Sequence, residues 1–251
     1  MVHFVGAGPG ATDLITVRGQ NLLKEADVII YAGSLVNKEH LNLAKEECGI
    51  YNSASMTLEE VIDVIKTAEQ EGKMTVRLHT GDPSIYGAIR EQMDRLNELH
   101  IAYDVVPGVS SFCGAAAALK AEYTLPDVSQ TVIITRMAGR TPVPEKEEIS
   151  LLAAHQATMA IFLSTGLLKP LRERLLIGGY REDTPAAIVY KATWPEEQVF
   201  YGTVGTLPEI AEKNNITKTA LILVGDFLGD AYERSKLYDP SFAHEFREAS
   251  K

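Results

Sequence analysis

Cysteine is scarce: only Cys48 and Cys113 occur in 251 residues, with no CxxC pair and no Cys/His cluster. That scarcity argues against a disulfide scaffold and against a structural zinc site, and it points to a reduced, cytoplasmic setting. No metal is therefore expected to be held by the chain. No apolar run is long enough to span a bilayer, and no basic-then-apolar leader opens the chain, so no membrane partner is expected. Positive charge is also in short supply, with 24 Lys and Arg against 34 Asp and Glu, a net charge of −10. Neutralising a phosphate backbone needs a basic surface, so nucleic acid is not an expected partner. An acidic small molecule is still admissible, because a few locally placed arginines can hold carboxylates against an unfavourable net charge.

What is present is ordinary for a soluble globular protein: 45% apolar and 23% charged residues, in a length that suits one large α/β domain or two smaller ones. Short apolar strands alternate with helices. Val2 to Gly6 reads as a strand and runs into Gly6-Ala7-Gly8-Pro9-Gly10, after which Thr16 can cap a helix to about Ala26. A second strand, Asp27 to Tyr31, is followed by Ala32-Gly33-Ser34, and Asn37 to Glu47 reads as a helix. Thr57-Leu58-Glu59-Glu60 has capping-box spacing ahead of Leu58, Val61, Ile62, Ile65 and Ala68 on one helical face, and Gly72 ends that element. Met74 to Leu78 is a buried strand, Gly87 to Leu99 a helix, and Ala102 to Val106 a strand closed by Pro107-Gly108. Such alternation predicts a mostly parallel sheet with crossover helices.

Two turns in this half are site candidates. The first, GxGxG with Pro9 inside, lacks the GxGxxG spacing of a dinucleotide loop, and no acidic residue follows the second strand to hold a ribose. No Gly-Lys-Ser/Thr follows either, which excludes a P-loop. The glycines say that something approaches the backbone closely without saying what. The second, Gly81-Asp82-Pro83-Ser84, forces a tight turn at a strand's carboxyl end, where open α/β sheets bind ligands. The same residues also suit an ordinary turn in which Asp82 or Ser84 satisfies nearby backbone donors. Ser110 and Ser111 stand where either a helix cap or a ligand contact would be placed.

The second half reads as a different α/β set, with no internal repeat. Strands are expected at Thr131–Thr135, Thr158–Leu163, Ala186–Tyr190 and Ala220–Val224, and helices at Glu145–His155, Leu168–Ile177 and Leu207–Lys213. The irregular segment from Arg136 to Glu145 has the make-up of a functional loop. The expected division is 1–115, 116–230 and a charged tail, 231–251.

Three turns now stand in order: Gly6-Ala7-Gly8-Pro9-Gly10, Gly81-Asp82-Pro83, and Pro107-Gly108-Val109-Ser110-Ser111. Over Val2 to Leu228 the chain resembles the tetrapyrrole (corrin/porphyrin) methylase family. Tyr31-Ala32-Gly33-Ser34-Leu35-Val36, Gly81 through Gly87, and Thr135-Arg136 through Pro144 are similar to the precorrin-4 C-11 methyltransferases of cobalamin biosynthesis. The resemblance implies a homodimer of two αβα domains with the active site in a cleft between them, binding S-adenosylmethionine, with S-adenosylhomocysteine as product. By position it implies cofactor contacts from Pro9, Gly81, Asp82, Ile85, Tyr86, Ser110, Ser111, Leu163, Ala192 and Thr193. Arg136 and Arg140 are the natural clamps for the carboxylates of a tetrapyrrole substrate, because guanidinium pairs with carboxylate bidentately. His79 and Asp13 are further substrate-side candidates.

One departure matters. Related uroporphyrinogen-III methylases carry Asp-Ala-Leu-Val where this chain has Gly33-Ser34-Leu35-Val36, so a general base is not carried over and only Ser34 stands in its place. A sulfonium methyl donor and an electron-rich acceptor carbon need no protein nucleophile, and catalysis by positioning can supply about 7–11 kcal/mol. The alternatives are a family member acting at another corrin-precursor carbon, a nicotinamide-dependent oxidoreductase, and a non-catalytic tetrapyrrole-binding protein.

Overall fold

The computed structural model describes residues 1–233 and 235–249. They divide into two compact units, 1–114 with 192–195, and 115–191 with the described residues from 196 to 249.

The first unit is a five-stranded, all-parallel sheet. Its strands are β1 (Val2–Gly6), β2 (Val28–Tyr31), β3 (Gly49–Asn52), β4 (Thr75–His79) and β5 (Tyr103–Val106), ordered β3-β2-β4-β1-β5. The register sets Val5 beside Leu78 on one side and Val106 on the other. Successive side chains of a strand point to opposite faces. Val5, Ile29, Val76 and Leu78 accordingly pack with Leu23 and Ala26, from and just beyond α1 (Val17–Glu25). Phe4 and Ile30 pack on the other face against Val61, Ile62, Ile65 and Ala68 of α2 (Leu58–Gln70) and Leu96 of α3 (Arg90–Glu98). Both faces of the sheet are covered at its centre, where β1, β2 and β4 are buried throughout.

Helix starts follow the expected caps where these are local. Thr16 accepts from Gly19 N at 3.1 Å. Thr57 and Glu60 form a reciprocal capping box, with the Glu60 carboxylate accepting from Thr57 N at 2.7 Å and Thr57 Oγ1 from Glu60 N at 3.2 Å. Three helices differ from expectation. The helix expected from Asn37 to Glu47 is only a 3-10 segment, Lys38–Leu43, ended by extended backbone at Ala44. The one expected from Gly87 begins at Arg90, because Tyr86 and Ala88 adopt φ of 55° and 50°. The span Glu145–His155 is broken at Glu148, whose extended backbone ends a 3-10 turn and whose carboxylate caps α5 (Ile149–Ala153) by accepting from Ser150 N.

Helix α4 (Ser111–Leu119) leads from the first unit into the second. The second unit holds a mixed sheet ordered β6-β7-β10-β8-β9, from β6 (Val132–Arg136), β7 (Thr158–Phe162), β8 (Pro185–Tyr190), β9 (Gln198–Thr203) and β10 (Ala220–Val224). Only β6 and β7 are parallel; β7 with β10, β10 with β8, and β8 with β9 are antiparallel. Strands β3 and β9 are not among those expected from the sequence. Both lie at sheet edges, β3 largely exposed and β9 half-buried, so neither has the fully buried pattern that marks a central strand. The core of this unit joins Met159, Ile161, Ile188 and Ile222 to α5, α6 (Leu168–Ile177) and α7 (Leu207–Lys213).

Candidate functional site

The order β4-β1-β5 sets three neighbouring parallel strands side by side, so the turns that follow them meet at one sheet edge. They are knitted together through backbone. Gly81 N donates to Gly8 O at 2.8 Å, Gly8 N returns a bond to Gly81 O at 3.3 Å, and Ala7 N donates to His79 O at 2.7 Å. A Cβ on Gly6 would lie 2.6 Å from both Gly108 Cα and Gly81 O, so only glycine allows the first and third turns to touch.

Asp82 ties the second turn to the third. Its Oδ2 accepts from Gly108 N at 2.8 Å, and its Oδ1 accepts from Ser84 N at 2.8 Å and from Ser84 Oγ. Burial works to raise its pKa, but the bonds from Ser84 and Gly108 outweigh it and hold the carboxyl below its ordinary value. Both oxygens of the most conspicuous acid in the turn are thus engaged with the protein itself. Beyond Asp82 the chain is contorted: Tyr86 and Ala88 have positive φ, and Gly87 packs against Pro83 O so closely that a side chain has no room. Strain of this kind clusters at ligand clamps. Tyr86 is 45% exposed, Ile85 is half-buried, Ser110 is buried, and Ser111 opens α4.

The first turn is gripped by residues far away in sequence. Asn37 Nδ2 donates to Gly10 O, Ala11 N donates to Thr193 Oγ1, and Trp194 Nε1 donates to Pro9 O, each at 3.0 Å. The indole also covers Gly10 so tightly that a Cβ there would collide with it. Thr193, a β-branched residue, sits at φ 69°, and the neighbouring Ala192 is buried. Sequence reasoning missed Asn37 and Trp194, and no local pattern links Trp194 to a loop 185 residues earlier.

His79 does not face a ligand-accessible surface as expected. It is 3% exposed, with its ring centroid 6.1 Å from that of Phe4 and Nε2 without a hydrogen-bond partner. Burial, helped by the nearby Arg77 charge, pushes its pKa down to about 3, so the imidazole is neutral. The physical reason lies in strand geometry: His79 is the last residue of β4, two positions beyond Arg77 and on the same packed face. Asp13 is exposed on a 3-10 turn, Thr12–Leu14. Asp104 pairs with His3 Nδ1 at 2.7 Å. The side chain of Ser34 lies outside those described.

In the second unit, Leu163 follows β7 with φ 52° and 63% exposure, an apolar side chain held outwards by strained backbone. Arg136 turns back on its own loop: NH1 donates to Thr141 O at 3.2 Å and NH2 to Pro142 O at 2.6 Å. Arg140 is exposed. Among the described residues no three His, Cys, Asp or Glu converge as metal ligands, and no helix is long and apolar enough to cross a membrane.

Comparison with known proteins places this geometry. A family model described as Tetrapyrrole (Corrin/Porphyrin) Methylases matches residues 1–208. The chain is 55% identical to a cobalt-precorrin-4 C(11)-methyltransferase of Methanocaldococcus jannaschii, over 100% of this chain and 97% of the relative. It is 44% identical to a precorrin-4 C(11)-methyltransferase of Pseudomonas aeruginosa, over 98% of each. Among solved structures, a cobalt precorrin-4 methyltransferase described as a cobalamin biosynthetic enzyme superposes with TM-score 0.89 at 47% identity, covering 91% of this chain and 96% of that one. A uroporphyrin-III C-methyltransferase from Thermus thermophilus complexed with S-adenyl homocysteine superposes with TM-score 0.75 at 25% identity, covering 91% and 93%.

Proposed function

The chain belongs to the tetrapyrrole (corrin/porphyrin) methylase family, and on that premise we propose that it methylates C-11 of precorrin-4 in cobalamin biosynthesis, with S-adenosylmethionine as donor. The observation that carries this reading is identity sustained over the full length, 55% and 44%, with relatives that bear the C(11) name. The more similar of the two bears the cobalt-precorrin-4 name, so the cobalt-loaded macrocycle is the substrate form proposed. A nicotinamide-dependent activity has no such support, and the GxGxG spacing speaks against it.

S-adenosylmethionine supplies, when bound, an electrophilic methyl on a sulfonium. The residues proposed to receive it in the first unit are Pro9, Gly81, Asp82, Ile85, Tyr86, Ser110, Ser111, Ala192 and Thr193. Their arrangement suits that role, since three turns poor in side chains offer backbone groups for close approach, and the strained Thr193 and Tyr86 flank them. Asp82 serves by fixing the second turn against the third. Arg140 is proposed to hold a tetrapyrrole carboxylate, and Arg136 to shape the loop that presents it. The protein is further proposed to act as a cytoplasmic homodimer, and sedimentation analysis tests the dimer.

The test of function is incubation with cobalt-precorrin-4 and with metal-free precorrin-4, using methyl-labelled donor and NMR to locate the new methyl. Label at C-11 of the cobalt form is the expected result. Label at another ring carbon would reassign the enzyme within its family.

A further inference from the structure

Arg77 is 5% exposed, yet among the described residues no carboxylate pairs with it. All its bonds go to neutral acceptors. Nε donates to Gln92 Oε1 at 3.0 Å, NH1 to Ile30 O at 3.0 Å and NH2 to Ser53 Oγ at 2.9 Å, while Ser53 Oγ donates to Tyr31 O at 3.1 Å. The opposite arm continues through Gln92, itself buried, whose Nε2 donates to Ala88 O at 3.0 Å. A guanidinium only donates, so the amide oxygen of Gln92 must face Arg77 and its NH2 must face Ala88. The network thus joins two places: the end of β2, where the chain enters the Ala32–Val36 loop, and the strained turn of Tyr86 and Ala88 that follows Asp82.

A buried, unpaired charge is a poor stabiliser, since apolar side chains of similar volume generally serve a core as well or better. What Arg77 and Gln92 provide that an apolar pair cannot is a set of directed bonds to two loops at once. Ala88, at φ 50°, is held in the left-handed region, which is unfavourable for a residue with a Cβ and needs support from its surroundings.

We propose that Arg77 and Gln92 are positioning residues that hold the Tyr86–Ala88 turn in its donor-binding conformation and fasten it to the end of β2. The donor-binding part rests on the function proposed above. The discriminating variant is Gln92→Glu, which keeps the acceptor for Arg77, adds an opposite charge beside it, and removes the donor to Ala88 O. Gln92→Met removes both arms without adding charge. In the absence of ligand, amide exchange of residues 86–89 is expected to rise at least tenfold in both variants, with β1 and β4 unchanged. Q92E is expected to melt no lower than wild type while its Kd for S-adenosylhomocysteine rises at least fivefold. Unchanged exchange at 86–89, exchange raised uniformly along the first unit, or a Kd within twofold of wild type would overturn the proposal. Wild-type protein that fails to bind S-adenosylhomocysteine would instead refute the donor reading, and ligand-free exchange would still decide whether Gln92 holds the turn.

Discussion

Gly108→Ala probes the joining of the three turns. A Cβ at Gly108 would overlap Gly81 O and lie 2.8 Å from Gly6 Cα and 2.9 Å from Gly6 C, all of them backbone atoms that cannot rotate away. Overpacking a tight site costs about 1–3 kcal/mol, and backbone neighbours put this case at the upper end. The displacement also pulls Gly108 N from the Asp82 carboxylate, and a hydrogen bond to a charged group is worth about 1.5–3 kcal/mol. One movement causes both losses, so they do not add in full, and about 3 kcal/mol is expected. Gly166→Ala is the control: the nearest heavy atom to its Cβ would be 3.8 Å away and its φ is not positive, so a change within about 0.5 kcal/mol is expected. The protein's one tryptophan, Trp194, lies against Pro9 and Gly10, so its fluorescence reports unfolding of the unit that holds the turns. With a urea slope of about 2 kcal/mol per molar, G108A should lower the midpoint by about 1.5 M. A G108A midpoint equal to that of G166A would refute the packing on which the site rests.

The remaining predictions concern single side chains. Trp194→Phe keeps a ring over Gly10 but loses the bond to Pro9 O; a stability loss of about 1 kcal/mol by circular dichroism and weaker S-adenosylhomocysteine binding are expected, and wild-type values for both would deny the clamp. His79, held neutral with a folded pKa of about 3 against an ordinary 6.5, makes the unfolded chain the better proton binder between those values. Stability therefore falls as pH drops from 6.5 towards 3, by up to about 1.4 kcal/mol per pH unit from this group, and His79→Phe should flatten that slope; parallel profiles for the two proteins would contradict it. Arg140→Ala should raise the KM for the tetrapyrrole at least tenfold and leave donor KM unchanged, whereas Arg136→Ala should additionally raise protease cleavage within 137–142; equal loss of donor and tetrapyrrole affinity in R140A would end the clamp reading.

What could be read in the sequence was what local chemistry determines. Thr16 and the Thr57–Glu60 box are recognisable because a cap and its partner lie within three residues. The glycines of the three turns are recognisable because few other residues tolerate such backbone. The strands β1, β2 and β4 are buried along their whole length; β2 leaves a continuous apolar trace, and β1 and β4 remain recognisable by Val2, Phe4 and Val5 and by Val76 and Leu78 despite His3, Arg77 and His79. Partners across the chain leave no such trace. Nothing near Gly10 announces Trp194, and nothing near Arg77 announces that Gln92 and Ser53 will satisfy it.

Asp82 shows where the limit falls. Turn chemistry singled out its carboxylate, and both a ligand contact and a bond to nearby backbone are compatible with its neighbours in sequence. The structure adds Gly108 N, 26 residues away, as the partner of the second oxygen. A carboxylate that already accepts three bonds has limited capacity left for a ligand. Its removal would act first on the alignment of the turns and through them on whatever they hold. Arg136 follows the same logic in the other unit: a guanidinium that a sequence offers as a clamp is occupied by Thr141 and Pro142 of its own loop, and the exposed Arg140 is left as the side chain able to meet an anion. In both places residue type marked the neighbourhood proposed for the site, and hydrogen-bond accounting shows which side chain is engaged with its own protein and which is left exposed.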